Sequence, residues 1–154
     1  MDTPQAVMQA LESAPAILVP LVRSVPAELL KQRPAPGKWS VHEHLCHLSL
    51  IHPLFHGRLD RMLASEDSTI EPYSPENEPE DHLLKMDFET SLARYVADRE
   101  TTLGRLLALS HSQWHRRAHH PEYSEYTVLA MFRHLALHDY LHGYRIEEIA
   151  MAPR

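Results

Sequence analysis

Apolar residues in this chain recur three and four positions apart in four separate stretches, and nowhere do they alternate with polar ones. A helix turns about 100° per residue, so that spacing gathers side chains on one face and confines the chain to packings of amphipathic helices. In the first stretch, Thr3 and Pro4 make a cap followed by a proline at the first helical position, and Val7, Leu11, Ile17, Leu18, Leu21 and Val22 supply an apolar face. Pro15 and Pro20 each remove a backbone donor inside it, which predicts a kinked or broken helix. Pro26, Pro34, Pro36 and Gly37 follow as a connector. Ser40 and Glu43 then form the S-x-x-E pattern of a capping box, with Trp39 placed to pack as a staple, so the second helix is predicted to begin at Ser40. It carries one stripe through Val41, Leu45, Leu48, Phe55, Leu59 and Met62, and a second through Leu50, Ile51 and Leu54. An arc that wide predicts contact with two neighbours, or with one neighbour and a second subunit in a homodimer.

Ser65 to Asp81 is acidic, contains three prolines and has no periodicity; it reads as a long surface connection, with a lid over a site as the alternative. Helical spacing returns from about His82 through Leu84, Phe88, Leu92, Tyr95, Val96, Leu103, Leu106 and Leu107, and is predicted to end near Ser110. His111 to Tyr126 reads as a loop, after which Thr127 caps a fourth helix running to about Ala150. These elements predict an all-α four-helix bundle spanning residues 1–154 as one domain.

The formal net charge is −6 and no basic cluster stands out, which predicts no nucleic-acid partner. Cys46 is the single cysteine, so neither an intrachain disulfide framework nor a thiolate-rich zinc site is available. With no secretory leader and no apolar run approaching the length of a bilayer span, a cytoplasmic location and no membrane partner are expected.

The segment Phe132 to Glu147 places His134, His138 and His142 at four-residue steps on one helix. Two imidazoles at that spacing reach a common ion. The chain has thirteen histidines and other such pairs, His52 with His56 and His111 with His115, so spacing alone does not make a site. A helical wheel puts His142 inside the apolar stripe and His138 on its shoulder, which favours that pair. Catalytic zinc sites use three protein ligands, so a third must project from a facing helix. The second helix offers His42, His44, His47, His52 and His56, and the wheel alone favours His44.

The run Val25-Pro26-Ala27-Glu28-Leu29-Leu30, then Arg33-Pro34, Gly37, Trp39-Ser40, His47-Leu48, and much later His138-Asp139 and His142, resembles the DinB/YfiT superfamily of metal-dependent bundle proteins. The resemblance covers nearly the whole chain. It implies an up-down-down-up four-helix bundle, often dimeric, in which a histidine eight residues after the tryptophan and a later pair four apart hold a metal. Here those positions are His47, His138 and His142, so the resemblance selects His47 over His44, which stays as the alternative.

Three neutral imidazoles suit a divalent ion, zinc by default, with nickel or iron as alternatives. An open position on the ion would activate water, or a low-molecular-weight thiol as thiolate. The expectation is therefore a metal-dependent S-transferase or hydrolase acting on a small molecule; the alternative is a non-catalytic, stress-related binding protein whose metal is structural or absent. Asp139 and Glu43 are candidates to accept the second N–H of a ligating imidazole, and His134 to move protons near the ion. Arg58 and Arg145 would bind an anionic group of the substrate if they line one cavity. Cys46 is expected to be a buried, inert thiol, and His119-His120 polar surface.

Overall fold

The computed structural model describes residues 1–73 and 81–152. The predicted connection from Ser65 to Asp81 falls partly on 74–80, outside the described residues. Four long helices dominate: α1 (Pro4–Ser24), α2 (Val41–Ala64), α4 (Phe88–Leu107) and α6 (Val128–Met151). Two single-turn helices, α3 (His82–Lys85) and α5 (His111–Trp114), and a hairpin of β1 (Arg117–His120) and β2 (Tyr123–Thr127) fill the connections. Around the bundle α1 touches α6 and α4, and α2 touches the same two helices from the other side.

Local chemistry sets the helix starts. Ser40 accepts from the Glu43 N–H while the Glu43 carboxylate accepts from the Ser40 N–H, the reciprocal cap expected for α2. Thr127 Oγ1 accepts from Ala130 N–H at 3.0 Å and starts α6 where predicted. The third stretch splits instead into α3 and α4, because Asp87 breaks the run by capping α4 through the Thr90 N–H at 2.8 Å.

Three expectations are corrected. First, of the kink or break expected in α1, the break does not occur: the helix is continuous through Pro15 and Pro20. The carbonyl of Leu11, freed by the missing donor of Pro15, accepts Nη1 of Arg99 at 3.3 Å, so the helix keeps that oxygen satisfied without its own N–H. Second, α1 is long and apolar enough, by length and composition, to cross a membrane, contrary to the expectation of no such run. Its stripe of Val7, Leu11, Ala14, Leu18 and Val22 is nevertheless buried within the bundle. Third, the stretch read as a loop contains an antiparallel hairpin pairing Arg117 with Thr127 and His120 with Tyr123. Backbone bonds of 2.8 Å from Ile70 N–H to His119 O and from His119 N–H to Ser68 O dock the chain leaving α2 onto it. Strands this short show too few alternations to register in sequence.

The apolar arc of α2 is taken up by α4 and α6 of the same chain, and so carries no argument for a homodimer. The core divides along the helix axes. At one end Val7, Leu11, Phe55, Leu59, Met131, Phe132 and Leu135 pack with Trp114 and Tyr126; at the other Ala14, Leu18, Val41, Leu45, Leu48, Leu92 and Ile146 pack together. Between them lies a layer of buried polar side chains, His52, Arg99, Asp139 and His142. Gly143 lies in α6 beside that layer, where a Cβ would meet Leu18 Cδ2 at 3.1 Å, so α6 packs closely on α1 at the residue after His142.

Candidate metal centre

His47 projects from α2, and His138 and His142 from α6, which packs beside it. Nε2 of His138 lies 3.1 Å from Nε2 of His47 and 3.1 Å from Nε2 of His142. One nitrogen from each ring falls within 4.8 Å of the other two. Four-coordinate zinc with nitrogens at about 2.0–2.1 Å holds pairs of them about 3.3 Å apart, so the set has the span a small divalent ion requires. The donor chemistry agrees. His138 Nε2 faces two nitrogens but has one proton at most to share, whereas a cation among the three satisfies every lone pair.

Burial is the first cause, and the neighbouring imidazoles the second, that push His142 down to about 2 and His138 to about 3. Both are thus held neutral, the state that ligates. Trp39, just ahead of the cap, lies over the cluster, its ring centroid 5.0 Å from His47, 5.5 Å from His44 and 5.9 Å from His142. The position read as a staple therefore covers one side of the imidazoles.

His44, favoured by the wheel, stands outside the three-nitrogen cluster. Its Nδ1 is 2.7 Å from Nδ1 of His142, one nitrogen donating and the other accepting. Asp139 is fully buried beside His138, but its carboxylate accepts from Arg99 and, at 3.3 Å, from the Tyr95 hydroxyl. Burial raises that carboxyl to about 6 against the pull of Arg99 and Tyr95. Glu43 is committed to the α2 cap and to Arg33; burial raises its pKa, but the hydrogen bonds from Arg33 and Ser40 outweigh that and leave it below the usual range. His134 is exposed, one turn from His138, with its ring against Tyr123.

The two arginines do not share a cavity. Arg58 lies eleven residues along α2 from His47, about 16 Å at the helical rise, and bonds the Tyr126 hydroxyl at 3.2 Å and Glu71 O at 2.7 Å. Arg145 lines a cavity that also includes Trp39 and His44. Cys46 is buried, its thiol 3.4 Å from the Ser91 hydroxyl and pushed up by burial, as expected of an inert sulfur. His119 is exposed, but His120 is buried against Tyr123 and Tyr126, with ring centroids 4.7 Å from each.

Of the polar layer, sequence reasoning missed Arg99. Arg99 continues the stripe of Leu92, Tyr95, Thr102 and Leu106 at helical spacing, and a charged residue inside an apolar stripe was the available signal. His52 is fully buried, and neither ring nitrogen has a hydrogen-bond partner among the described residues. Burial, then the charge of Arg99, pushes it down to about 3 from an ordinary 6.5. The sign follows: below pH 6.5 the unfolded chain takes up a proton that the folded chain refuses until about pH 3, so stability falls as the pH drops through that window. At about 1.4 kcal/mol per pH unit once the unfolded chain is protonated, His52 alone accounts for a loss of roughly 2 kcal/mol between pH 6.5 and 4.5. His52→Leu should remove that loss and, by deleting an unpartnered polar ring, gain about 1–3 kcal/mol at pH 7. Urea unfolding of both proteins at pH 7 and 4.5 checks it, and an unchanged difference between the two pH values would count against it.

The DinB superfamily profile matches residues 10–146. YfiT from Bacillus subtilis, described as a probable metal-dependent hydrolase with an unusual four-helix bundle topology, superposes with a TM-score of 0.83 at 24% identity, over 97% of this chain and 86% of that one. ClbS, a colibactin self-resistance protein solved in complex with double-stranded DNA, superposes with a TM-score of 0.72 at 16% identity, over 100% of this chain and 99% of that one. At these identities the likeness is one of fold. Comparison with curated proteins gives no match. ClbS overturns the exclusion of nucleic acid drawn from net charge: a protein of this fold meets duplex DNA, and a total charge does not describe the face that meets phosphate. With its bundle of four long helices and a profile match over most of its length, the chain belongs to the DinB superfamily.

Proposed function

We propose that His47, His138 and His142 hold one divalent metal ion, zinc by default, in a metal-dependent enzyme that activates water or a small thiol against a small-molecule substrate. The convergence of three imidazole nitrogens within 4.8 Å carries the reading. An ion bound there supplies a Lewis acid that lowers the pKa of water or a thiol at its open position. The chain's residues do the rest. His138 and His142 present nitrogens kept unprotonated by burial, Trp39 shields one side of the rings from bulk water, and the bond to His44 fixes the plane of His142. YfiT's description as a probable metal-dependent hydrolase supports hydrolysis over the non-catalytic reading.

The test is metal analysis of chelator-washed, zinc-reloaded protein, followed by assays of the loaded and stripped forms against esters and amides and, separately, against an electrophile offered with a panel of thiols. About one ion per chain and turnover confined to the loaded form are expected. Protein that retains no zinc, or turnover equal in both forms, would sink the reading.

A further inference from the structure

A cavity of about 500 Å³ opens beside Trp39 and His44, where the connector before α2 faces the last turns of α6. Trp39 and Ile149 give it apolar walls, and Lys38, Arg145 and Glu148 its charged groups. In a chain of net charge −6 these leave a local excess of one positive charge. Arg145 spends Nη1 on Glu148 at 2.7 Å, and its other nitrogens have no protein partner among the described residues. Lys38 likewise has no side-chain partner among them.

His44 lines the same cavity and bonds His142, so it touches both the cavity and the centre. If His142 ligates through Nε2, as proposed above, its proton sits on Nδ1 and must be donated to Nδ1 of His44. Neutral His44 then carries its own proton on Nε2, where it is a donor.

We infer that this cavity binds a small anionic molecule with an apolar body, of the aryl carboxylate class, and that His44 is the positioning residue that joins it to the centre: it accepts from His142 at Nδ1 and donates from Nε2 to the bound anion. Lys38 and Arg145 neutralise the carboxylate, and Trp39 and Ile149 pack against the ring. The link through His44 rests on the metal reading, whereas the cationic cavity does not.

The experiment uses benzoate and its neutral analogue benzamide as probes, titrated calorimetrically. On metal-free protein, benzoate should bind at least about tenfold more tightly than benzamide, and Lys38→Ala with Arg145→Ala, both at exposed positions, should erase the difference. On zinc-loaded protein, His44→Asn keeps an acceptor near the Nδ1 position but nothing at Nε2. It should weaken benzoate about tenfold and leave zinc affinity, measured by chelator competition, nearly unchanged. His44→Phe removes both roles and should weaken zinc at least about tenfold as well. Circular dichroism confirms that each variant is folded, and His44→Asn keeps the test decisive if His44→Phe is not. Equal binding of the two probes by the wild type overturns the cavity assignment. Unchanged benzoate affinity in zinc-loaded His44→Asn, or unchanged zinc affinity in folded His44→Phe, overturns the role of His44. Wild-type protein that holds no zinc overturns the metal reading and the His44 link with it, and the metal-free titration then decides the cavity alone.

Discussion

Alanine at both His47 and His138 should take bound metal from about one ion per chain to near none, and should abolish the rise in melting temperature on adding zinc. An ion that binds only the folded chain stabilises it by about 4 kcal/mol when free ion exceeds the dissociation constant about a thousandfold. For a chain of this size that is a rise of about 10 °C, which the double variant would lack. Without metal the two proteins should melt within a few degrees of each other, because the unbound cluster sets nitrogens against one another and buries rings that resist protonation. Mass-spectrometric metal analysis and thermal unfolding with and without zinc make the comparison. A zinc-induced rise that survives in the variant would place the ion elsewhere.

Arg99→Leu is expected to lower the melting temperature of the metal-free protein by about 10 °C, the largest loss we anticipate from one substitution. Arg99 and Asp139 are 1% and 0% exposed, and the pair sits between the two apolar clusters. Removing the guanidinium leaves a carboxylate in the core whose burial already raises its pKa. Breaking a buried pair in this way costs about 3–5 kcal/mol, and about 1 kcal/mol corresponds to 2–4 °C here. The same change strips the Leu11 carbonyl of its donor at the proline position of α1. Arg99→Leu combined with Asp139→Leu should recover most of the loss, since an apolar pair of similar volume needs no compensation. If the double variant melts as low as the single one, lost packing and not the stranded charge is responsible.

Much of this was legible in the sequence because it is local. The Ser40/Glu43 cap and the Thr127 cap involve residues three apart, and the structure places α2 and α6 one residue after them. The four-residue step from His138 to His142 is likewise a property of one helix. What sequence could not supply was long-range. The wheel ranked His44 above His47 because it knows which face of α2 is apolar, but not which part of that face meets α6. The two histidines meet different rings of α6, His47 through Nε2 at Nε2 of His138 and His44 through Nδ1 at Nδ1 of His142. The continuity of α1 was hidden for the same reason: the donor that reaches the Leu11 carbonyl freed by Pro15 comes from Arg99, 88 residues from Leu11. Arg58 and Arg145 looked equivalent until packing put one against the hairpin and the other by the centre.

Trp39 gives the protein a reporter of its own. Its indole lies on the imidazole cluster and is 36% exposed, whereas the only other tryptophan, Trp114, is buried in the core at the opposite end. Ultraviolet emission from these two fluorophores therefore senses two different places. Filling of the centre should alter the brightness or colour of one while leaving the other as an internal standard, so that occupancy can be followed in real time without a dye.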